Sequence, residues 1–233
     1  WIHLDEVAST NDYLKQGDFA DGTAVIADRQ TAGKGRQGKS WSEAPVGQAM
    51  YLSVLFHSMK ISDMGLLPLL CGLATARSLG AAARIKWPND VLLGEKKVCG
   101  ILTEASFDLE SGLVDSIVLG IGFNAYLPRE GFPPGIAHTA GAIFEAAQPD
   151  GKNRLAAAFL NHFWDAYSQG TPSDFAARYR RRNLAIGREV QVLSPMGAKT
   201  AFALDVDDDC HLLVRYQDGS TAQLASGEIS LQL

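Results

Sequence analysis

The sequence predicts an α+β protein. A mixed β-sheet with flanking helices spans residues 1–185, and a small antiparallel β-barrel follows over 186–233. Three observations carry this. β-forming apolar runs cluster mid-chain, while segments with helical spacing lie on either side of them. The texture then changes after Gly187, where "REVQVL", "TAFALDVD", "HLLVRYQ", "TAQLAS" and "EISLQL" alternate in polarity between the turns "SPMG", "DDDC" and "QDGS". Finally, 233 residues with 46% hydrophobic content suit one large core plus a small appendage.

The elements follow in order. "ASTND" opens a helix that Ser9 or Thr10 can cap and Gly17 ends. "TAVIADRQ" (23–30) reads as a strand, then comes a glycine-rich loop, then the apolar strand "AMYLSVLFH" (49–57). Residues 64–80 are apolar at helical spacing and stop at Gly80, with Pro68 tolerated near the first turn. "RIKWPNDVLL" (84–93) makes two short strands around a turn at Pro88. Strands at 96–106 and 113–125 are linked through "DLESG". Residues 126–151 are rich in Pro and Gly and irregular, with a short helix expected at 139–147. Helices at 153–170 and 173–184 complete the larger unit.

Composition excludes several classes. A net charge of -5 and a pI near 5.5 disfavour a globally basic nucleic-acid binder. No run approaches the ~20 apolar residues of a membrane span. The N-terminus has neither the basic start nor the apolar run of a signal peptide. Cys71, Cys99 and Cys210 are scattered, with no C-x-x-C, which points to a reducing, cytoplasmic setting. The five histidines form no zinc motif.

"GKGRQGKS" (33–40) spells the phosphate-binding pattern G-x-x-x-x-G-K-[ST]. That pattern works only where a helix opens at the Lys-Ser pair, so that its N–H groups cradle phosphate. Here Pro45 and Gly47 follow, and then a strand, so the P-loop reading fails. Three glycines and the cations Lys34, Arg36 and Lys39 remain, a composition that suits close approach to an anion and little order without one. "KWPND" (86–90) adds a cation, an aromatic ring, a turn and a carboxylate. Lys97 precedes Gly100 in an apolar strand, and "GIGFN" (120–124) places two glycines on one strand face before Asn124. Glycines inside strands mark close approach by a ligand or another backbone.

Together these stretches resemble the biotin protein ligases. The resemblance rests on "STN" (9–11), Q-x-A-G-K-G-R-x-G-x-x-W (30–41), "KWPND", K-x-x-G-I-L-x-E (97–104), "GIGFN" and "GEISL" (227–231), and it covers nearly the whole chain. It implies an SH3-like form for the C-terminal barrel. It also implies activation of biotin by ATP and Mg2+ to biotinyl-5′-AMP, then transfer to a lysine of a biotin carboxyl carrier protein. No DNA-binding domain precedes "STN", so the resemblance is to the short, monofunctional class, acting as a monomer or homodimer without DNA or membrane.

The resemblance implies roles residue by residue. Lys97 lies between the biotin carboxylate and the α-phosphate, where charge builds up. Arg36 and Lys39 serve the phosphates, with Arg36 also catalytic. Trp41 stacks on adenine, and Lys86, Asn89 and Asn124 contact the nucleotide. Ser9, Thr10 and Gln30 bond the biotin head group, while Gly33, Lys34, Gly100, Leu102 and Gly120 line its slot. Asp90 sits near the incoming lysine. The nucleophile belongs to the substrate, so no Ser or Cys nucleophile is needed, and Cys99 reads as a small buried strand residue. Lys34 replaces a frequent Arg, Gln37 removes a cation, and Gln232 stands where a basic residue can occur. Two alternatives are a lipoate or octanoate ligase or transferase on the same fold, and a non-catalytic ligand-binding module.

Overall fold

The computed structural model describes residues 1–41, 45, 47–57, 65–107, 114–169, 171–194, 197–225 and 227–231. The "DLESG" link, Met64, part of "SPMG" and Gln232 lie outside these residues.

The larger unit contains β1 (Ile2–Val7), α1 (Thr10–Gln16), β2 (Ala24–Gln30), β3 (Ala49–Phe56) and α2 (Leu66–Ser78). After these come β4 (Ala83–Lys86), β5 (Asp90–Leu93), β6 (Lys96–Phe107), β7 (Val114–Asn124), α3 (Gly151–Gln169) and α4 (Pro172–Arg182). The strands form one sheet in the order β1-β2-β3-β7-β6-β5-β4, antiparallel except for the parallel β1–β2 pair.

The two-residue period of the strands assigns each face its work. On β3, Met50, Leu52, Val54 and Phe56 join the main core against α2 and α3. Their alternates face the other way: Leu55 packs under α1 with Leu14, Val25 and Val118, and Ala49 and Tyr51 cluster with Ala27. All eight residues of β3 are buried because both faces are covered. On β7, Leu119, Ile121 and Phe123 enter the main core, which leaves Gly120, Gly122 and Asn124 on the face with α1.

Helix ends follow their caps. Ser9 Oγ accepts from the Asp12 amide at 3.3 Å to start α1, and Thr171 Oγ1 accepts from the Asp174 amide at 3.4 Å to start α4. Pro68 sits in the first turn of α2, where its missing N–H costs nothing.

Two expectations need correction. Residues 139–147 form no helix. Their backbone groups instead extend the ends of β6 and β7: Lys97 N donates to Thr139 O at 2.7 Å, Gly141 N to Lys97 O at 2.9 Å, and Phe144 N to Ala125 O at 2.9 Å. Gly141 suits this path because a Cβ there would lie 2.5 Å from the Lys96 side chain. The N-terminal strand β1 was not expected. It is a half-exposed edge strand, and six residues alternating against solvent give little periodic signal.

The C-terminal unit is a five-stranded antiparallel sheet in the order β11-β10-β9-β8-β12. Its strands are β8 (Glu189–Ser194), β9 (Gly197–Val206), β10 (Leu212–Tyr216), β11 (Thr221–Leu224) and β12 (Glu228–Leu231). β11 and β12 stand at opposite edges, so the barrel is not closed. The unit shares one core with the larger sheet: Phe175 and Tyr179 of α4 join Val190, Ala203, Val214 and Ile229. Trp87 Nε1 donates to Cys210 O at 2.8 Å, and Arg180 pairs with Asp208 at 2.7 Å, so polar contacts also span the junction.

Candidate active site

The site lies on the face of the large sheet that carries α1, where β6 and β7 bring their glycines side by side. Gly100 pairs with Gly122, and Leu102 with Gly120. A Cβ at Gly100 would lie 2.2 Å from the Trp41 ring, one at Gly122 would lie 3.0 Å from it, and one at Gly120 would lie 2.3 Å from Asn11 Oδ1. The three glycines therefore make room for Trp41 and Asn11 against the sheet. The close approach is made by side chains of this chain, not by another backbone.

A cavity of about 170 Å³ opens there. Of the residues singled out from sequence, Ser9, Thr10, Gln30, Lys34, Arg36, Lys39, Trp41, Lys86, Asn89, Asp90, Lys97, Gly100, Leu102 and Gly120 all line it. Two do not. Gly33 is buried behind the wall, where its carbonyl accepts from Trp41 N at 2.9 Å. Asn124 lines a second cavity of about 930 Å³ that shares Ser40, Trp41 and Lys97 with the first.

One end of the first cavity is a buried polar cluster. Ser9, Thr10, Asn11, Gln30 and Ser53 are all under 9% exposed. Thr10 donates to Gln30 Oε1 from both its amide (2.7 Å) and its hydroxyl (2.8 Å). Ser53 Oγ lies 2.7 Å from Thr10 Oγ1 and 2.6 Å from Asn11 Oδ1. Buried polar groups cost free energy unless bonded, so the four of these that line the cavity, with Ser53 bonded to two of them from behind, fix donors and acceptors for a small polar guest. Asn11 also donates to Glu104 at 2.6 Å, which in turn binds Lys15 at 2.9 Å.

The cations sit toward the other end. Lys97 Nζ lies 2.7 Å from Asp90 Oδ1 and 5.0 Å from the centre of the Trp41 ring, which places it where the two cavities meet. Arg36 Nη1 donates to Asn89 Oδ1 at 3.3 Å and to Gly227 O at 2.9 Å. The C-terminal sheet thus reaches the site, and Ile229 lines it as well. Lys34 Nζ binds Asp12 at 2.7 Å. Burial alone would raise the Asp12 carboxyl, but hydrogen bonds and charge from Lys34 and Lys15 outweigh it and hold it below the usual carboxylate range.

The glycine-rich loop is a hairpin. Gly35 N donates to Lys39 O at 2.6 Å, Lys34 pairs with Ser40, and Gln37 and Gly38 take positive φ at the tip. With Lys34 tied to Asp12 and Arg36 to Gly227, the loop has more support than its composition suggests. It leads to strand β3, and the P-loop geometry is absent among the described residues. Cys99 is buried, and burial pushes its thiol up to about 12, which suits a strand residue rather than a nucleophile.

Sequence reasoning missed Asn11, Tyr51, Ile229 and the segment 128–140 that walls the second cavity. The length and irregularity of residues 126–151 were a usable signal, because long loops without secondary structure are commonly functional. Asn11 stands inside the quoted "STN", but nothing local shows that its amide rests on Gly120.

Metal ligands are sparse around the cavities. Among the described residues Asp90 is the one carboxylate lining the first and Glu130 the one lining the second. Among the described residues the one group close enough to hold an ion is His3, Asp5 and Asp28, on β1 and β2 away from both cavities.

Comparison with known proteins places these features in context. A model of the biotin/lipoate A/B protein ligase family matches residues 4–124, and one of the biotin protein ligase C-terminal domain matches 185–232. The biotin–[acetyl-CoA-carboxylase] ligase of Mycobacterium tuberculosis is 32% identical, over 98% of this chain and 89% of its own length. The bifunctional ligase/repressor BirA of Escherichia coli is 31% identical, over 98% of this chain and 73% of its own. The biotin protein ligase of Aquifex aeolicus, in complex with biotin and ATP, superposes with a TM-score of 0.79 at 27% identity, covering 98% of this chain and 97% of that one. The Leishmania major ligase with biotinyl-5-AMP gives 0.63 at 26% identity, covering 97% and 98%.

Proposed function

This chain belongs to the biotin/lipoate A/B protein ligase family, and from that premise we propose how its residues carry the reaction. The activity is ATP-dependent activation of biotin and its transfer to a carrier protein of a biotin-dependent carboxylase. The observation that carries the residue-level reading is Lys97, held by Asp90 where the two cavities meet.

In this reading biotin enters the smaller cavity with its cyclic urea against Ser9, Thr10 and Gln30. Gly100, Leu102 and Gly120 form the slot for the rest of the molecule. The nucleotide takes the larger cavity, with adenine on Trp41 and Asn124 beside it. Lys86 and Asn89 serve its phosphates from the near rim. A biotin carboxylate oxygen attacks the α-phosphorus, the bond to the bridging oxygen breaks, and pyrophosphate leaves. Two anions meet in this step, and Lys97, Arg36 and Lys39 supply the opposing charge. The acceptor lysine then attacks the mixed anhydride carbonyl, AMP leaves, and an amide forms. Asp90 orients that amine and accepts its proton. Mg2+ would come with the ATP phosphates and would offset their charge there.

Residues 1–185 act as the catalytic unit, and 186–233 as a C-terminal unit that holds Arg36 through Gly227. Three free cysteines fit a cytoplasmic setting, where thiols stay reduced. No helix among the described residues is long and apolar enough to cross a membrane. Intact-mass spectrometry after incubation with ATP and either biotin or lipoate tests the substrate. Biotin should leave a retained acyl-adenylate and lipoate none, whereas the reverse would support the lipoate alternative.

A further inference from the structure

On the opposite face of the large sheet, α2, α3 and α4 enclose a cavity of about 290 Å³. Four arginines and one histidine surround it: Arg77 from α2, His162 from α3, and Arg178, Arg181 and Arg182 from α4. The cavity floor is apolar, with Leu73 and Phe175, and no carboxylate among the described residues lines it. In a chain of net charge -5 this concentration of positive charge calls for a reason.

Two structural explanations cover part of it. Arg182 is committed to the fold, because it donates to the carbonyls of Ala76, Gly80 and Ala83 and ties α2 to β4. Cations in the last turn of a helix also offset its dipole, which suits Arg77 and Arg181. Neither explains why cations of separate helices converge on one concave space. The side chains of Arg77, Arg178 and Arg181 make no hydrogen bond or ion pair with any described residue. Arg180, the residue between, turns away to Asp205 and Asp208, and so contributes nothing to the cavity.

We propose that this cavity is a second ligand site, for a small molecule bearing phosphate groups. Guanidinium forks bind phosphate oxygens in pairs, and cations arriving from several sides match a tetrahedral group. The volume is at the lower end of small-molecule pockets, which are about 300–1,000 Å³, so one or two phosphates and a little apolar body fit. The concave shape and apolar floor favour a small guest over a flat polyanion such as duplex nucleic acid. The site lies across the sheet from the biotin and nucleotide cavities, so it neither shares residues with the reaction nor depends on the assignment of roles there.

His162 provides a local reporter. Burial first, and then the charge of Arg77, push its imidazole below the usual histidine range, with Asp165 opposing. Arg178, Arg181 and Arg182 line the same cavity from α4. A bound phosphate would offset this positive field and raise the His162 protonation midpoint. Inorganic pyrophosphate titrated into the full chain should shift the His162 ring resonances saturably, with a Kd below about 1 mM. The Arg178→Gln/Arg181→Gln double variant changes two exposed side chains and should fold normally, as a thermal melt would verify. It should weaken pyrophosphate at His162 at least about tenfold and leave biotinylation of a carrier domain unchanged. A non-saturating shift, or an equal response in the folded double variant, would overturn the proposal. So would citrate binding as tightly as pyrophosphate, or a His162 response to duplex DNA but not to pyrophosphate.

Discussion

In the proposed mechanism, Lys97 is the residue on which the chemistry turns. Its ammonium lies 2.7 Å from Asp90 and faces the Trp41 ring, so it is positioned before either substrate enters. Removing one preorganised charge-stabilising group typically costs about 2.7 to 4 kcal/mol of transition-state stabilisation. Lys97→Met should therefore lower biotin-dependent pyrophosphate release by roughly a hundredfold or more, measured in a coupled phosphate assay, and near-normal release would remove Lys97 from the mechanism. Asp12 carries a different prediction. Its carboxyl is depressed by Lys34 and Lys15, so the stabilisation it gives is present above the unfolded carboxylate value, near 3.9, and is lost as pH falls through the lower folded value. Urea denaturation followed from neutral pH into acid should show a shallower loss of stability for Asp12→Asn than for the parent. An identical profile would show that the Lys34 and Lys15 contacts contribute nothing in solution.

At the scale of elements, the hairpin at 33–40 is held by its own backbone bonds and by two tethers from outside, Asp12 and Gly227. Bound substrates should tighten it further, because they bring anions to its cations and close the cavity to water. Lys34, Arg36 and Lys39 are all trypsin sites, so limited digestion reads this directly. Cleavage should slow with biotin plus ATP and quicken in Asp12→Asn, and equal rates in all three samples would show that neither ligand nor tether orders the loop. Trp41→Ala, which empties the space over Gly100 and Gly122, should weaken ATP more than biotin. Isothermal titration with each ligand separates the two, and an equal loss for both would take Trp41 out of the nucleotide cavity.

Most of these elements were legible because their spacing is local. The β-forming apolar runs of β3 and β7, the cap at Ser9 and the turn chemistry of the C-terminal strands all lie within a few neighbouring residues. What escaped depended on distant partners. Residues 139–147 have helical composition, but their backbone groups pair with β6 and β7, which no local window contains. β1 gains its place from pairing with β2 across the intervening α1. The cavity followed the same rule: its glycines and cations stood out as sequence motifs, whereas Asn11 on Gly120 and Gly227 on Arg36 are long-range contacts.

In the whole molecule, the two sheets share a hydrophobic core and meet at the "KWPND" turn. Trp87, only 2% exposed, donates to Cys210 O from the larger unit to the smaller. Trp87→Phe leaves that carbonyl without its donor, a loss of about 1–3 kcal/mol. Stability should fall by that order in a single unfolding transition followed by urea denaturation. Two separate transitions in the parent would mean the sheets are not one cooperative unit.

The central claim is that this chain builds biotinyl-5′-AMP and hands the biotinyl group to a carrier lysine. The most direct measurement mixes the purified protein with ATP, Mg2+, biotin and a purified biotin-carrier domain, and weighs the carrier by intact-mass spectrometry. The account predicts one biotinyl group per carrier, dependent on ATP and abolished when the acceptor lysine is replaced. A carrier that stays unmodified with biotin, or that gains lipoate in its place, would contradict it.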